Sequence, residues 1–97
     1  MKTIIESINF EPSAALNKFI KEKSSVFLTL DKKALFAEFN LSAQKHEFTC
    51  TIILNLAGKD IVSRSSADDM HFAILKPIDS AKRSIRKKKM KVITNLK

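Results

Sequence analysis

The densest chemistry in this 97-residue chain lies in one run, SAKRSIRKKKMK at residues 80–91, where seven of twelve side chains are Lys or Arg and none is acidic. Cations at this density neutralise phosphates and displace their counterions, which gives affinity for a polyanion without any catalytic step. The net charge of +8 has the same origin: residues 1–81 hold ten basic and ten acidic side chains, so the excess lies wholly within residues 82–97. A neutral body with one cationic end implies RNA, DNA or an anionic membrane as partner, and composition does not choose among them. A helix end complementing its own dipole needs only one or two cations.

No other set of side chains offers a reaction. His46 and His71 each stand alone, without a second His or Cys at ligand spacing, so no metal is expected. Cys50 is the single cysteine and alternates in phase with Phe48 and Ile52, which predicts a buried thiol. Asp68 and Asp69 suit the opening turn of a helix better than an acid–base pair. The lone Gly58 rules out a glycine-rich phosphate loop, and no Ser/His/Asp or Cys/His set is present. The expectation is a protein that is not an enzyme and needs no cofactor. No apolar run reaches the ~20 residues of a membrane span. The first residues, MKTIIESINFE, are interrupted by Glu6 and Glu11, unlike a secretory signal, so a cytoplasmic location is expected.

The elements that must carry the basic run follow from periodicity. MKTIIESI reads as a strand. A helix follows, with Pro12 and Ser13 at its start, Leu16, Phe19, Ile20 and Phe27 on one stripe, and Lys18, Lys21 and Glu22 facing away. ALFAEFNLS alternates, with Leu35, Ala37, Phe39 and Leu41 together; EFTCTIILNL alternates with Phe48, Cys50, Ile52, Leu54 and Leu56 together. After AGKD, DIVSRS makes a third strand of an antiparallel meander. A second helix opens near SADDM, with Ser66 and Asp69 in capping-box spacing. Its stripe of Ile74, Ile78, Ala81 and Ile85 turns Lys76, Arg83, Arg86 and Lys87 outward and puts Lys82 and Lys89 on the flank. Anchoring fades from Lys88 onward. The order strand–helix–strand–strand–strand–helix predicts an α+β fold: a four-stranded mixed sheet, its first two strands parallel, with two helices on one face and the other face open.

Two segments also carry a resemblance. SINFEPSAALNKFIKEK, through Asn9, Glu11, Ala15, Leu16, Phe19 and Lys23, and SSADDMHFAILKPIDSAKRSIRKKKMK, through Asp69-Met70, Ala73-Ile74, Asp79 and the basic run, resemble the ribosome hibernation factors once called sigma-54 modulation proteins. The resemblance covers residues 1–91 and implies one ribosome-binding domain, with 92–97 as a short flexible tail. It implies a β-α-β-β-β-α fold similar to double-stranded-RNA-binding domains, and a translation inhibitor that sits in the mRNA and tRNA channel of the small ribosomal subunit, against 16S rRNA, keeping idle ribosomes inactive in stationary phase or stress. With no chain after Lys97 it looks like a short form, monomeric when free, which either works with a separate ribosome-dimerising partner or silences single ribosomes. Three positions depart from the family pattern: Ser7 where a Gly is common, His71 where Tyr is usual, and Pro77 inside the second helix, which predicts a kink near Ala73–Pro77.

The expected RNA-binding residues are Lys82, Arg83, Arg86, Lys87, Lys89 and Lys91, joined by Lys18, Lys21 and Lys23 from the first helix and Arg64 from the open sheet face. Arg83 and Arg86 are the better candidates for specific geometry, since guanidinium groups fork across phosphates and stack on bases. Lys18 and Lys21 fit a plain solvated face equally well, and Lys23 fits a side chain that snorkels past Phe27. A generic double-stranded RNA or DNA binder shares these electrostatics. An anionic-membrane-surface protein is disfavoured because the sheet needs the same apolar stripe as its core and there is no Trp. A chain of this size is expected to be ~25 Å across.

Overall fold

The structure, a computed structural model, describes residues 2–95, with side chains as far as Arg86. The elements are β1 (Lys2–Ile8), α1 (Ala14–Leu30), β2 (Ala34–Gln44), β3 (Glu47–Leu56), β4 (Lys59–Ala67) and α2 (Met70–Asn95). Each begins or ends for a local reason. The turn between β1 and α1 passes through Asn9 at φ 57, a left-handed conformation that Asn tolerates better than most residues. The Ser13 hydroxyl then accepts from the Leu16 N–H at 3.1 Å and caps α1. Gly58, at φ 83, makes the tight turn between β3 and β4, where a Cβ would be strained.

The sheet order is β1-β2-β3-β4. β1 runs parallel to β2, and the remaining pairs are antiparallel. Both helices cover one face. Leu16, Ile20 and Phe27 of α1 meet Phe39, Leu41, Cys50, Ile52, Leu54 and Leu56 of the sheet, together with Ile74, Ile78, Ala81 and Ile85 of α2, in one buried cluster. This is the α+β architecture that the alternating strands and the two apolar stripes predict.

Four local expectations are revised. Leu35 is 57% exposed, because the ladder with β3 shifts register between Ala34 and Phe36 and Ala34 takes the inward place. Ser66 does not cap α2: β4 runs on to Ala67, and the Ser66 and Thr49 hydroxyls share a cross-strand hydrogen bond at 2.9 Å. Asp69 caps the helix instead, its Oδ1 accepting from the His71 N–H at 2.8 Å and its carbonyl from the Ala73 N–H at 3.0 Å. Pro77 does not interrupt α2. Its ring is fully buried, between the buried Ile74 and Ile78, so the core holds the helix on both sides of the missing donor. Finally, the molecule is not ~25 Å across in every direction. It measures 50 × 22 × 19 Å, since a helix as long as α2 spans ~39 Å by itself. The side chains of Lys87, Lys89 and Lys91, and the tail expected over 92–97, lie outside the residues described in side-chain detail.

Burial pushes the Cys50 thiol up to about 12. The folded state therefore holds the thiol proton more tightly than the unfolded state. That contribution is complete below the ordinary thiol value of 9.0 and is lost as pH rises toward about 12. Folded protein at pH 8 should leave Cys50 unmodified by a thiol reagent, and denaturant should expose one equivalent; rapid labelling without denaturant would contradict the burial. Asp69→Ala should cost ~1 kcal/mol in a urea titration while Asp69→Asn retains most of the stability, because Asn caps a helix as well as Asp.

Candidate nucleic-acid interface

The buried stripe of α2 fixes where its charges point. With Ile74, Ile78, Ala81 and Ile85 held in the core, Arg83 and Arg86 are exposed, and so is Lys76 two turns before Arg83. Lys82 lies at the flank, half-buried, with its Nζ 3.9 Å from Asp79 Oδ1. Asp79, Lys82, Arg83 and Arg86 line one shallow depression. A groove between the helices adjoins it, lined by Glu22, Lys23, Val26, Leu75, Ile78, Asp79 and Lys82. Asp79 and Lys82 belong to both, so Lys23 of α1 joins the α2 cations in one continuous surface. Asp79 braces Lys82 within that surface; Glu22 and Asp79 are two carboxylates against Lys23, Lys82, Arg83 and Arg86, so the net charge there is positive.

An aromatic contact holds the two helices in this relation. The Phe19 ring meets the His71 ring edge-on at 4.9 Å and 62°, and Lys23 Nζ lies 5.7 Å from the Phe19 centroid. His71 Nδ1 is also 3.5 Å from the Asp69 carboxylate. Lys23 is exposed and held over Phe19, one turn before it on α1, and does not snorkel past Phe27.

The other expected residues are spread around the molecule. Lys18 is exposed on the outward side of α1. Lys21 lines a separate depression at the β1 edge, with Thr3, Ile5, Ser7, Pro12 and Asn17. Arg64 lies on the opposite side of the molecule, in the cross-strand row Glu6, Asn40, Thr51 and Arg64 of the open sheet face. That face also holds Glu38, which accepts from Asn40 Nδ2 at 2.9 Å, and Asp60, which accepts from Asn55 Nδ2 at 2.6 Å. Its charges are mixed, and the excess of cations belongs to the helical side. Periodicity alone passes over Phe72, which is 58% exposed on the outer face of α2. A helical projection finds it, since Phe72 stands opposite the Ile74–Ile85 stripe, but an apolar residue in the first turn of a helix reads as core until the stripe is assigned.

Among the described residues, no three His, Cys, Asp or Glu side chains are grouped to hold a metal ion, and no helix is long and apolar enough to cross a membrane.

Residues 3–93 match the family described as sigma 54 modulation protein / S30EA ribosomal protein. Comparison with curated proteins returns no match. Among solved structures, a ribosomal subunit interface protein from Coxiella burnetii is similar with a TM-score of 0.85 and 16% identity, covering 93% of this chain and 99% of that one. The Protein Y N-terminal domain from Thermus thermophilus is similar with a TM-score of 0.78 and 19% identity, covering 90% and 98%. At these identities the two structures establish a shared fold.

The joint surface predicts its own electrostatics. Replacing Lys82, Arg83 and Arg86 together by Gln should lower the slope of log K against log salt for RNA by about 0.7–0.9 for each phosphate that is no longer neutralised, with the far-ultraviolet circular dichroism unchanged. An unaltered slope would move the interface elsewhere.

Proposed function

We propose a role that proceeds from one premise: this chain belongs to the sigma 54 modulation protein / S30EA ribosomal protein family. It binds the small ribosomal subunit in the channel used by mRNA and tRNA and keeps idle ribosomes from translating. The observation that carries this reading is the pairing of a cationic helical side with a core-anchored α2, in a chain of that family. Arg83 and Arg86 are presented by a helix whose opposite stripe is fixed in the core, so their positions are set before any RNA arrives, which lowers the cost of ordering them on binding.

Binding proceeds through phosphate neutralisation by Lys23, Lys82, Arg83 and Arg86, and the sequence continues the charge in Lys87, Lys89 and Lys91. The two arginines add forked contacts to phosphate oxygens. Inhibition then follows from occupancy: the body excludes tRNA and mRNA from the space it fills, and no bond is made or broken. The apolar stripe that a lipid-binding helix would need is already spent in the core, which favours RNA over an anionic membrane.

Sedimentation with small subunits, large subunits and whole ribosomes across a salt series tests the role. The protein should travel with small subunits and whole ribosomes but not with large subunits, more weakly as salt rises, and excess tRNA with mRNA should displace it. Equal binding to every particle and to naked duplex RNA would instead make it a generic nucleic-acid binder. Whole ribosomes that shift to a dimer peak would indicate direct pairing, whereas an unshifted peak would indicate silencing of single particles or the need for a separate pairing protein.

A further inference from the structure

Phe72 has no place in the core that the other phenylalanines build. Phe27 and Phe39 are fully buried, Phe10, Phe19 and Phe48 pack against the core, and Phe36 is half-buried on the sheet. Phe72 alone of the seven is mostly exposed. A single exposed apolar side chain is ordinary; its charge surroundings are what single this one out. Along the exposed face of α2, Phe72 is followed by Lys76 one turn later, by Asp79 two turns later and by Arg83 three turns later, while Asp68 and Asp69 stand at the N-terminal end.

Asp79 lies 3.9 Å from Lys82 Nζ and is outnumbered by Lys76, Lys82, Arg83 and Arg86, so the net charge along this side runs from acidic, through an aromatic ring, to cationic. A phosphate is repelled at the first end and attracted at the second. A nucleotide presents the matching order, with a neutral, flat base at one side and an anionic backbone at the other. From this match we infer that Phe72 is a stacking platform for one unpaired base of a bound RNA strand, whose phosphates run toward Lys76 and Arg83. Stacking on a phenyl ring asks little about base identity, because every base has a π-face, so the site takes an unstacked nucleotide and not a particular letter. A paired duplex keeps its bases inside and cannot use it. The inference deepens the RNA-binding reading above and rests on it for the cellular RNA, but the subsite itself is testable without ribosomes.

The chain contains no Trp and no Tyr, so Phe72→Trp introduces the sole indole. Fluorescence of F72W should be quenched by a single-stranded oligoribonucleotide of about ten nucleotides, and not by an abasic oligomer of equal length and charge. F72A should bind the intact oligomer about tenfold more weakly than the unaltered protein while binding the abasic oligomer equally, and F72W should restore affinity. Equal quenching by both oligomers, no response to either, or an F72A protein that binds as tightly as the original would each overturn the subsite. The two readings fail separately: stacking without preference for small subunits defeats the ribosomal role, whereas small-subunit binding indifferent to F72A defeats the platform.

Discussion

Everything that could act on an anion in this molecule depends on one burial event, the seating of Ile74, Ile78, Ala81 and Ile85 among Phe27, Leu54 and the rest of the core. Each fully buried isoleucine contributes about 1.5–3 kcal/mol relative to exposure. That energy fixes the rotation of α2 about its own axis, and the rotation decides which side chains face solvent. A turn of the helix by a quarter would bury an arginine and expose an isoleucine, at a cost no surface ion pair such as Asp79–Lys82 could offset. Charge therefore did not arrange itself on this surface; the hydrophobic stripe arranged it.

The Phe19–His71 contact, with Lys23 over the ring, supplements this by tying α1 to the first turn of α2. It lies at the surface and is small in energy, yet it brings a cation from one helix onto the surface built by the other. The result is a molecule with unlike sides. The helices carry the basic excess, while the open sheet face balances Lys2 and Arg64 against Glu6, Glu38 and Asp60.

Much of this was legible in the sequence because a period-two strand and a 3.6-residue helix commit their side chains to faces in different ways. The alternation through Phe48, Cys50, Ile52, Leu54 and Leu56 and the stripe through Ile85 survive in the structure without change. What escaped was decided between elements. Leu35 is exposed because of a register shift against β3, which no single strand announces. Ser66 reads as a cap by spacing, but a hydroxyl on the neighbouring strand competes for it, and Asp69 takes the role. Lys18, Lys21 and Arg64 look like companions of the basic run when charge alone is considered, yet Lys18 and Lys21 lie on the exposed surface of α1 and Arg64 on the open sheet face, outside the depression that Lys82, Arg83 and Arg86 line.

The parallel pairing of β1 with β2 has a kinetic corollary. Lys2 meets Phe36 only after the whole of α1 has been crossed, so β1 and α1 close a long chain segment before that pairing gains anything. β2, β3 and β4 are joined by tight turns, and α2 follows directly and packs on β3 and β4. The C-terminal two-thirds thus has the low contact order of a local unit, and the N-terminal strand and helix complete it. The part of the chain that displays Arg83 and Arg86 depends least on distant closure, so an opening of the β1 edge leaves the charged side of the molecule standing.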